Sequence, residues 1–214
     1  MIDFYTASGS PFGWRVGLSL EHKQLPHAQK LLSFSAGDLR TDSFAAINPR
    51  KQVPAIVDDG FALYESAAIV EYLEDRYPER PLFPKGVREK ASVRRMILEA
   101  DHHLGASMER LVGQLLQRKE PERDATTIAS ARQGVLDELA RFEHSLVHPF
   151  LGGEAVTAID FTVYPMIALV LRMQDRFDPK LGVREAIAPK VSSWMKRIES
   201  LPYFDKTYPP HWRG

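Results

Sequence analysis

Hydrophobic and polar positions along this chain change period near residue 80. Before that point short apolar runs alternate with amphipathic stretches. Ile2 to Tyr5 reads as a strand, Pro11 to Leu20 as a helix, and Leu31 and Leu32 fall in a second strand. Asp38 to Ala46 follows as a second helix. The β-branched run Val53 to Val57 is bounded by the turn Asp58-Asp59-Gly60, with Phe61 to Tyr64 as its hairpin partner. Ser66 to Tyr77 carries Ile69, Val70 and Leu73 at helical spacing. The predicted order is βαβ, then α, then ββα, an α/β layer.

Between residues 76 and 88 the segment YPERPLFPKGV holds three prolines and a glycine, a density that ends helices and suits a linker. Strand signals stop there. Val93, Ile97, Leu104, Met108, Leu111 and Leu115 keep a 3.6-residue period and predict one long amphipathic helix. Val135, Leu139, Phe142 and Leu146 mark another helix, and residues 157–173 are apolar nearly all round. Val191, Trp194, Met195 and Ile198 mark a last helix before a Pro-rich tail. The expected division is an α/β domain over 1–80 and an all-helical domain over 88–214.

Composition narrows the function classes. The 214 residues carry 28 Lys plus Arg against 28 Asp plus Glu, so no basic field points to nucleic acid. Cysteine is absent, which removes disulfides, thiolate metal sites and a cysteine nucleophile, and fits a cytoplasmic protein. The start, MIDFYTASGSP, has neither a basic leader nor a long apolar run, so no signal peptide is expected. No stretch reaches the roughly 18 apolar residues of a membrane span.

Candidate chemistry gathers at helix starts. Ser10-Pro11 has the residue types of an N-cap and first helical position, and the free N–H groups there also suit an anion. Glu65-Ser66 repeats that logic: a cap beside a solvated acid, or a carboxylate-binding helix start beside an ammonium acceptor. Pro54 interrupts its strand, so its neighbour Val53 could pair through backbone groups with an extended peptide. Asp101 falls on the apolar stripe between Ile97 and Leu104, where a charge needs a partner, water or a ligand. His102 and His103 point about 100° apart on a helix and do not make a metal pair, so no metal is expected. Thr157-Ala158-Ile159-Asp160 has the side chains of a capping box and reads as structural. There is no P-loop, GxGxxG or GxSxG.

With those residues set out, the chain resembles the glutathione S-transferase family over nearly its whole length. The likeness rests on SPFGWRV at 10–16, NPRKQVPAIVDDG at 48–60, ALYESAAIVEYLEDRYP at 62–78 and TAIDFTVYP at 157–165. It implies a thioredoxin-like N-terminal domain (βαβαββα), an all-helical C-terminal domain and a homodimer. Ser10 would match the catalytic serine of serine-type classes, with tau-like SPFG and zeta-like spacing to Trp14. It would hydrogen-bond the glutathione thiolate; Ser8 is the lesser candidate, and Tyr5 stands too early to match the tyrosine-type classes. Val53 would pair with the cysteinyl backbone, beside the family's cis-proline at Pro54. Glu65 and Ser66 would hold the γ-glutamyl group. Gln52 stands where Lys or Arg often meets the glycine carboxylate, with Arg50 or Lys51 able to compensate, and Asp101 resembles an acid that some classes donate across the dimer.

The chain departs from the zeta pattern, SSCSWRVR, at Pro11 and Phe12 and at Gly17, which replaces the second arginine. Without cysteine, Cys-based chemistries are not expected. The implied activity is attack of the glutathione thiolate on a hydrophobic electrophile or an organic peroxide. The alternatives are a maleylacetoacetate isomerase-like enzyme and a binding or regulatory protein that keeps only the fold. Phe12, Trp14, His102, Leu104, Gly105, Met108 and Arg110 are candidates for the electrophile pocket.

Overall fold

The computed structural model describes residues 1–213, which form two compact units. The first holds Met1–Phe83 together with the tail from Pro202 onward, and the second is Pro84–Leu201.

In the first unit β1 (Ile2–Thr6), α1 (Pro11–Lys23) and β2 (His27–Leu31) make a βαβ turn, with β1 and β2 parallel. After a 3₁₀ turn at Asp38–Arg40 come α2 (Asp42–Ile47), the antiparallel hairpin β3 (Ala55–Asp58) and β4 (Phe61–Tyr64), and α3 (Ser66–Arg76). The sheet order is β2-β1-β3-β4, with β1 antiparallel to β3. This is the thioredoxin-like arrangement expected. The second helical segment splits because Thr41 accepts the N–H of Phe44 and starts α2 anew.

Apolar positions explain the packing. Ile2, Phe4 and Ile56 from the sheet meet Val16 and Leu20 of α1 and Ile69 and Leu73 of α3 in one buried cluster. Beside it Lys23 at the end of α1 is buried: its Nζ lies 2.8 Å from Glu74 Oε2 and donates to the carbonyl of Tyr77 at 2.7 Å. Glu74 Oε2 also accepts the N–H of Leu82 at 2.9 Å. The charge is thus compensated by a carboxylate and by the free carbonyls beyond α3.

The second unit contains α4 (Val87–Glu99), α5 (Ala106–Leu115), α6 (Ala125–Ser145), α7 (Ala158–Phe177) and α8 (Pro189–Glu199). The helix expected to run unbroken through Leu115 contains a π-helical segment, Ala100–Gly105, between α4 and α5. The inserted residue turns the face, so Asp101 is half-buried while Ala100 and Leu104 are buried. At α7 the capping box forms. Asp160, fully buried, accepts N–H bonds from Thr157 and Leu151 at 2.8 Å each, the Thr157 hydroxyl at 3.0 Å, and Trp194 Nε1 at 2.8 Å.

The tail corrects the expected division. Its described residues, 202–213, belong with the first unit, not with the helices. In α9 (Phe204–Thr207) the hydroxyl of Thr207 accepts Trp14 Nε1 at 2.9 Å. The Trp14 ring lies 5.6–5.8 Å from those of Phe204, Tyr208 and Trp212. Tyr203 OH meets His22 Nδ1 at 2.8 Å. The tail is rich in proline, and its aromatic rings find their apolar partner on α1.

Candidate functional site

Strand register builds the site. Tyr5 of β1 stands opposite Ala55 of β3, and Ala55 opposite Tyr64 of β4. The loop after β1 carries Ser10, the residues before Ala55 are Val53 and Pro54, and those after Tyr64 are Glu65 and Ser66. Three motifs far apart in sequence therefore emerge at one end of the sheet. The Val53-Pro54 bond is cis.

Ser10 is the N-cap of α1 and Pro11 its first residue. The Ser10 hydroxyl oxygen accepts the N–H of Gly13 at 3.1 Å, and its O–H remains available as a donor. Its neighbour Ser8 is engaged differently, its Oγ lying 2.8 Å from His211 Nδ1 on the tail. A Cβ at position 13 would displace the Thr6 hydroxyl, so the glycine lets α1 start close against the end of β1.

Glu65 is exposed and precedes α3 with φ 71° and ψ 108°. For a side chain with a Cβ this conformation costs on the order of 1–3 kcal/mol, and such outliers gather at ligand clamps. Ser66, the first residue of α3, is 7% exposed, and its hydroxyl accepts Arg15 Nη1 at 3.1 Å. Arg15 is 2% exposed, and its guanidinium carbon lies 5.6 Å from the centre of the Phe12 ring. Sequence reasoning passed over Arg15; a charged residue inside the apolar run of α1 was the available signal.

The segment before Pro54 is fixed by Asn48, which is buried. Its side-chain amide donates to the carbonyl of Gln52 at 2.6 Å, and its Oδ1 accepts the N–H of Arg50 at 2.9 Å. Arg50, Lys51 and Gln52 are exposed beside Val53. Asp101 lies in the second unit, in the π-helical segment. Of the residues considered for an electrophile pocket, Trp14 is enclosed by the tail's aromatics, while Leu104, Gly105 and Met108 are buried and His102 and Arg110 exposed in the second unit. No group of three His, Cys, Asp or Glu that could hold a metal occurs among the described residues.

Titratable groups with displaced equilibria lie away from the site, at the Asp58 end of β3 and the C-terminal ends of α1 and α3. Tyr72 and Tyr77 both donate to Asp58 Oδ2, at 2.9 and 2.7 Å. Desolvation, then the bond to Asp58, pushes the Tyr77 phenol from 10.0 up to about 12. Burial, aided by Lys23 and Arg80, holds the His22 imidazole below its ordinary value, so it favours the neutral form.

The profile of the glutathione S-transferase N-terminal domain matches residues 4–81, and that of the C-terminal domain matches 94–202. The chain belongs to the glutathione S-transferase family. Among curated relatives, the Arabidopsis thaliana protein named "Probable glutathione S-transferase DHAR4" is 32% identical over 92% of this chain and 83% of its own length. The Dictyostelium discoideum maleylacetoacetate isomerase is 36% identical over 44% of this chain and 43% of its own. A crystal structure of a glutathione S-transferase from the clam Laternula elliptica superposes with a TM-score of 0.83 at 28% identity, covering 99% of this chain and 94% of that one. This chain thus combines the family's thioredoxin-like unit with its helical unit. No helix among the described residues is long and apolar enough to cross a membrane.

Proposed function

We propose that this transferase binds glutathione at the common end of β1, β3 and β4 and activates its thiol through Ser10. The register that aligns Tyr5, Ala55 and Tyr64 carries the reading, because it brings Ser10, Val53-Pro54 and Glu65-Ser66 to one end of the sheet. The backbone of Val53 pairs with the cysteinyl unit. Ser66 and the helix start receive the γ-glutamyl carboxylate while Glu65 takes the ammonium. Gln52 offers an amide near the glycine carboxylate, beside Arg50 and Lys51, and Asp101 reaches the ligand from the partner subunit of a cytoplasmic homodimer.

The chemistry follows from the free O–H of Ser10. A donor aimed at the sulfur stabilises thiolate over thiol and raises the nucleophilic fraction at neutral pH. The thiolate then attacks a hydrophobic electrophile or the oxygen of an organic peroxide. Ultraviolet titration of bound glutathione tests this. The thiol should titrate below free glutathione, and Ser10→Ala should return it to the free value; an unchanged titration in the variant sinks the mechanism.

A second reading is a glutathione-dependent isomerase, favoured by the 36% identity to the Dictyostelium maleylacetoacetate isomerase over 95 residues. Turnover of maleylacetoacetate with no net loss of glutathione would distinguish it. Failure to bind glutathione in calorimetry would instead leave a non-catalytic protein of this fold.

A further inference from the structure

His22, in the last turn of α1, meets the chain at both ends of its excursion into the second unit. The chain leaves the first unit after Phe83 and re-enters it at Pro202. His22 Nδ1 lies 2.8 Å from the Tyr203 hydroxyl, one residue after re-entry, and the two rings cross edge to face with centres 5.8 Å apart. The imidazole also hydrogen-bonds the carbonyl of Pro81, two residues before the exit. We propose that His22 is a proton-operated clasp: its neutral ring fastens the returning tail to α1, and its protonation releases the tail while the rest of the unit stays folded.

The neutral ring suits both neighbours. Nδ1 takes the O–H of Tyr203, which leaves Nε2–H for the Pro81 carbonyl. A proton on Nδ1 would set two donors against each other unless the phenol turned its hydrogen away. The surrounding charges also oppose a cation. Lys23 and Arg80 face the ring, and Glu74, the carboxylate on the other side of the balance, is already held by Lys23 Nζ at 2.8 Å and the Leu82 N–H at 2.9 Å. Beyond Tyr203 stand Glu21, His27 and Lys206, where Glu21 faces the other two. Burial and the two cations accordingly hold the imidazole below its ordinary value.

The tail, not the linker, is the part that yields. Lys23 Nζ donates to the carbonyls of Tyr77, Glu79 and Arg80 and so holds the linker whatever the state of His22. The tail has no such anchor at its start. Its α9 is four residues long, too short to persist without packing. Tyr203 is followed directly by Phe204, whose ring packs on Trp14, and at the far end His211 Nδ1 lies 2.8 Å from Ser8 Oγ. Release at Tyr203 therefore loosens the cover of Trp14 and the bond to Ser8, two residues from Ser10.

The test is hydrogen exchange of the full-length protein between pH 7.5 and 5, read by mass spectrometry and corrected for intrinsic rates. The open tail leaves His22 with its ordinary value near 6.5, so it binds the proton better than the closed one. Opening should then grow by up to tenfold per pH unit below about 6.5. The amides of Tyr208 and Trp212 should lose protection in that window, while those of Tyr77 and Leu82 keep theirs. His22→Gln, neutral at every pH and still able to hydrogen-bond, should hold the tail closed and remove the pH dependence. Tyr203→Phe should lower tail protection already at pH 7.5. His27 and His211 are present in both variants, so their contributions cancel. The same pH dependence in His22→Gln overturns the clasp, and so does loss of protection in tail and linker together. Should His22→Gln fail to fold, Tyr203→Phe decides: unchanged tail protection at pH 7.5 overturns it.

Discussion

Arg15 Nη1 donates to Ser66 Oγ across 3.1 Å and ties the start of α1 to the start of α3, two turns of helix that each carry part of the proposed glutathione site. Arg15→Ala should weaken glutathione binding by about tenfold or more, since a hydrogen bond to a charged group contributes roughly 1.5–3 kcal/mol. Ser66→Ala should cost more, since it also removes the hydroxyl that receives the γ-glutamyl carboxylate, and the double variant should cost less than the sum, because both single changes remove the Arg15–Ser66 bond. Calorimetric titration of the four proteins measures the coupling; strict additivity would show that the bond does not position the site.

Lys23 and Glu74 form the buried ion pair of the first unit. Lys23→Met leaves Glu74 charged without its partner and should lower stability by about 3–5 kcal/mol, as for other buried pairs broken on one side. Urea denaturation checks this. A loss below about 1 kcal/mol would mean that the Leu82 N–H alone compensates the carboxylate.

Asp160 accepts bonds from Leu151, Thr157 and Trp194 in the second unit. Asp160→Ala orphans those donors, each costing about 1–3 kcal/mol, whereas Asp160→Asn keeps an acceptor and should cost less. Thermal melts, with Trp194 fluorescence as a local probe, should rank the three proteins in that order.

His22 gives a pH dependence with a definite sign. Its folded-state affinity for a proton is lowered, chiefly by burial, so the unfolded chain binds more protons as pH falls through about 6.5. Stability contributed by neutral His22 is present above that value and is lost toward lower pH. His22→Gln should show a shallower fall in melting temperature on the acid side than the parent protein.

Tyr77 gives the opposite case in alkali. Its phenol titrates at about 12 against an ordinary 10.0, so between those values the folded state holds the proton that the unfolded state has lost. Stability should therefore decline through that window. Tyr77→Phe should remove that part of the decline, and ultraviolet titration of tyrosinate should lose its latest-titrating group.

Local period made most of the fold legible. The alternation in β1, the Asp-Asp-Gly turn and the 3.6-residue stripes of α3, α6 and α8 each state their own structure, because burial of one face is decided within a few residues. The halves of the site were visible as motifs at helix starts. What joins them was not: register pairs Tyr5 with Ala55 and Ala55 with Tyr64, a choice between distant strands. Arg15 was missed for the same reason, since its acceptor lies 51 positions away. The π-helical segment at Ala100–Gly105 escaped because one extra residue leaves the apolar spacing almost unchanged. The tail was misassigned because its aromatics have no period of their own, and Trp14 meets Thr207 across 193 positions.

That tail has a consequence for synthesis. A ribosome delivers residues 1–83 early, yet the Trp14 face of α1 stays wet until residues 202–213 have emerged from the exit tunnel. The first unit is thus the first to be translated and the last to be completed, with an aromatic surface open to chaperones for the interval between.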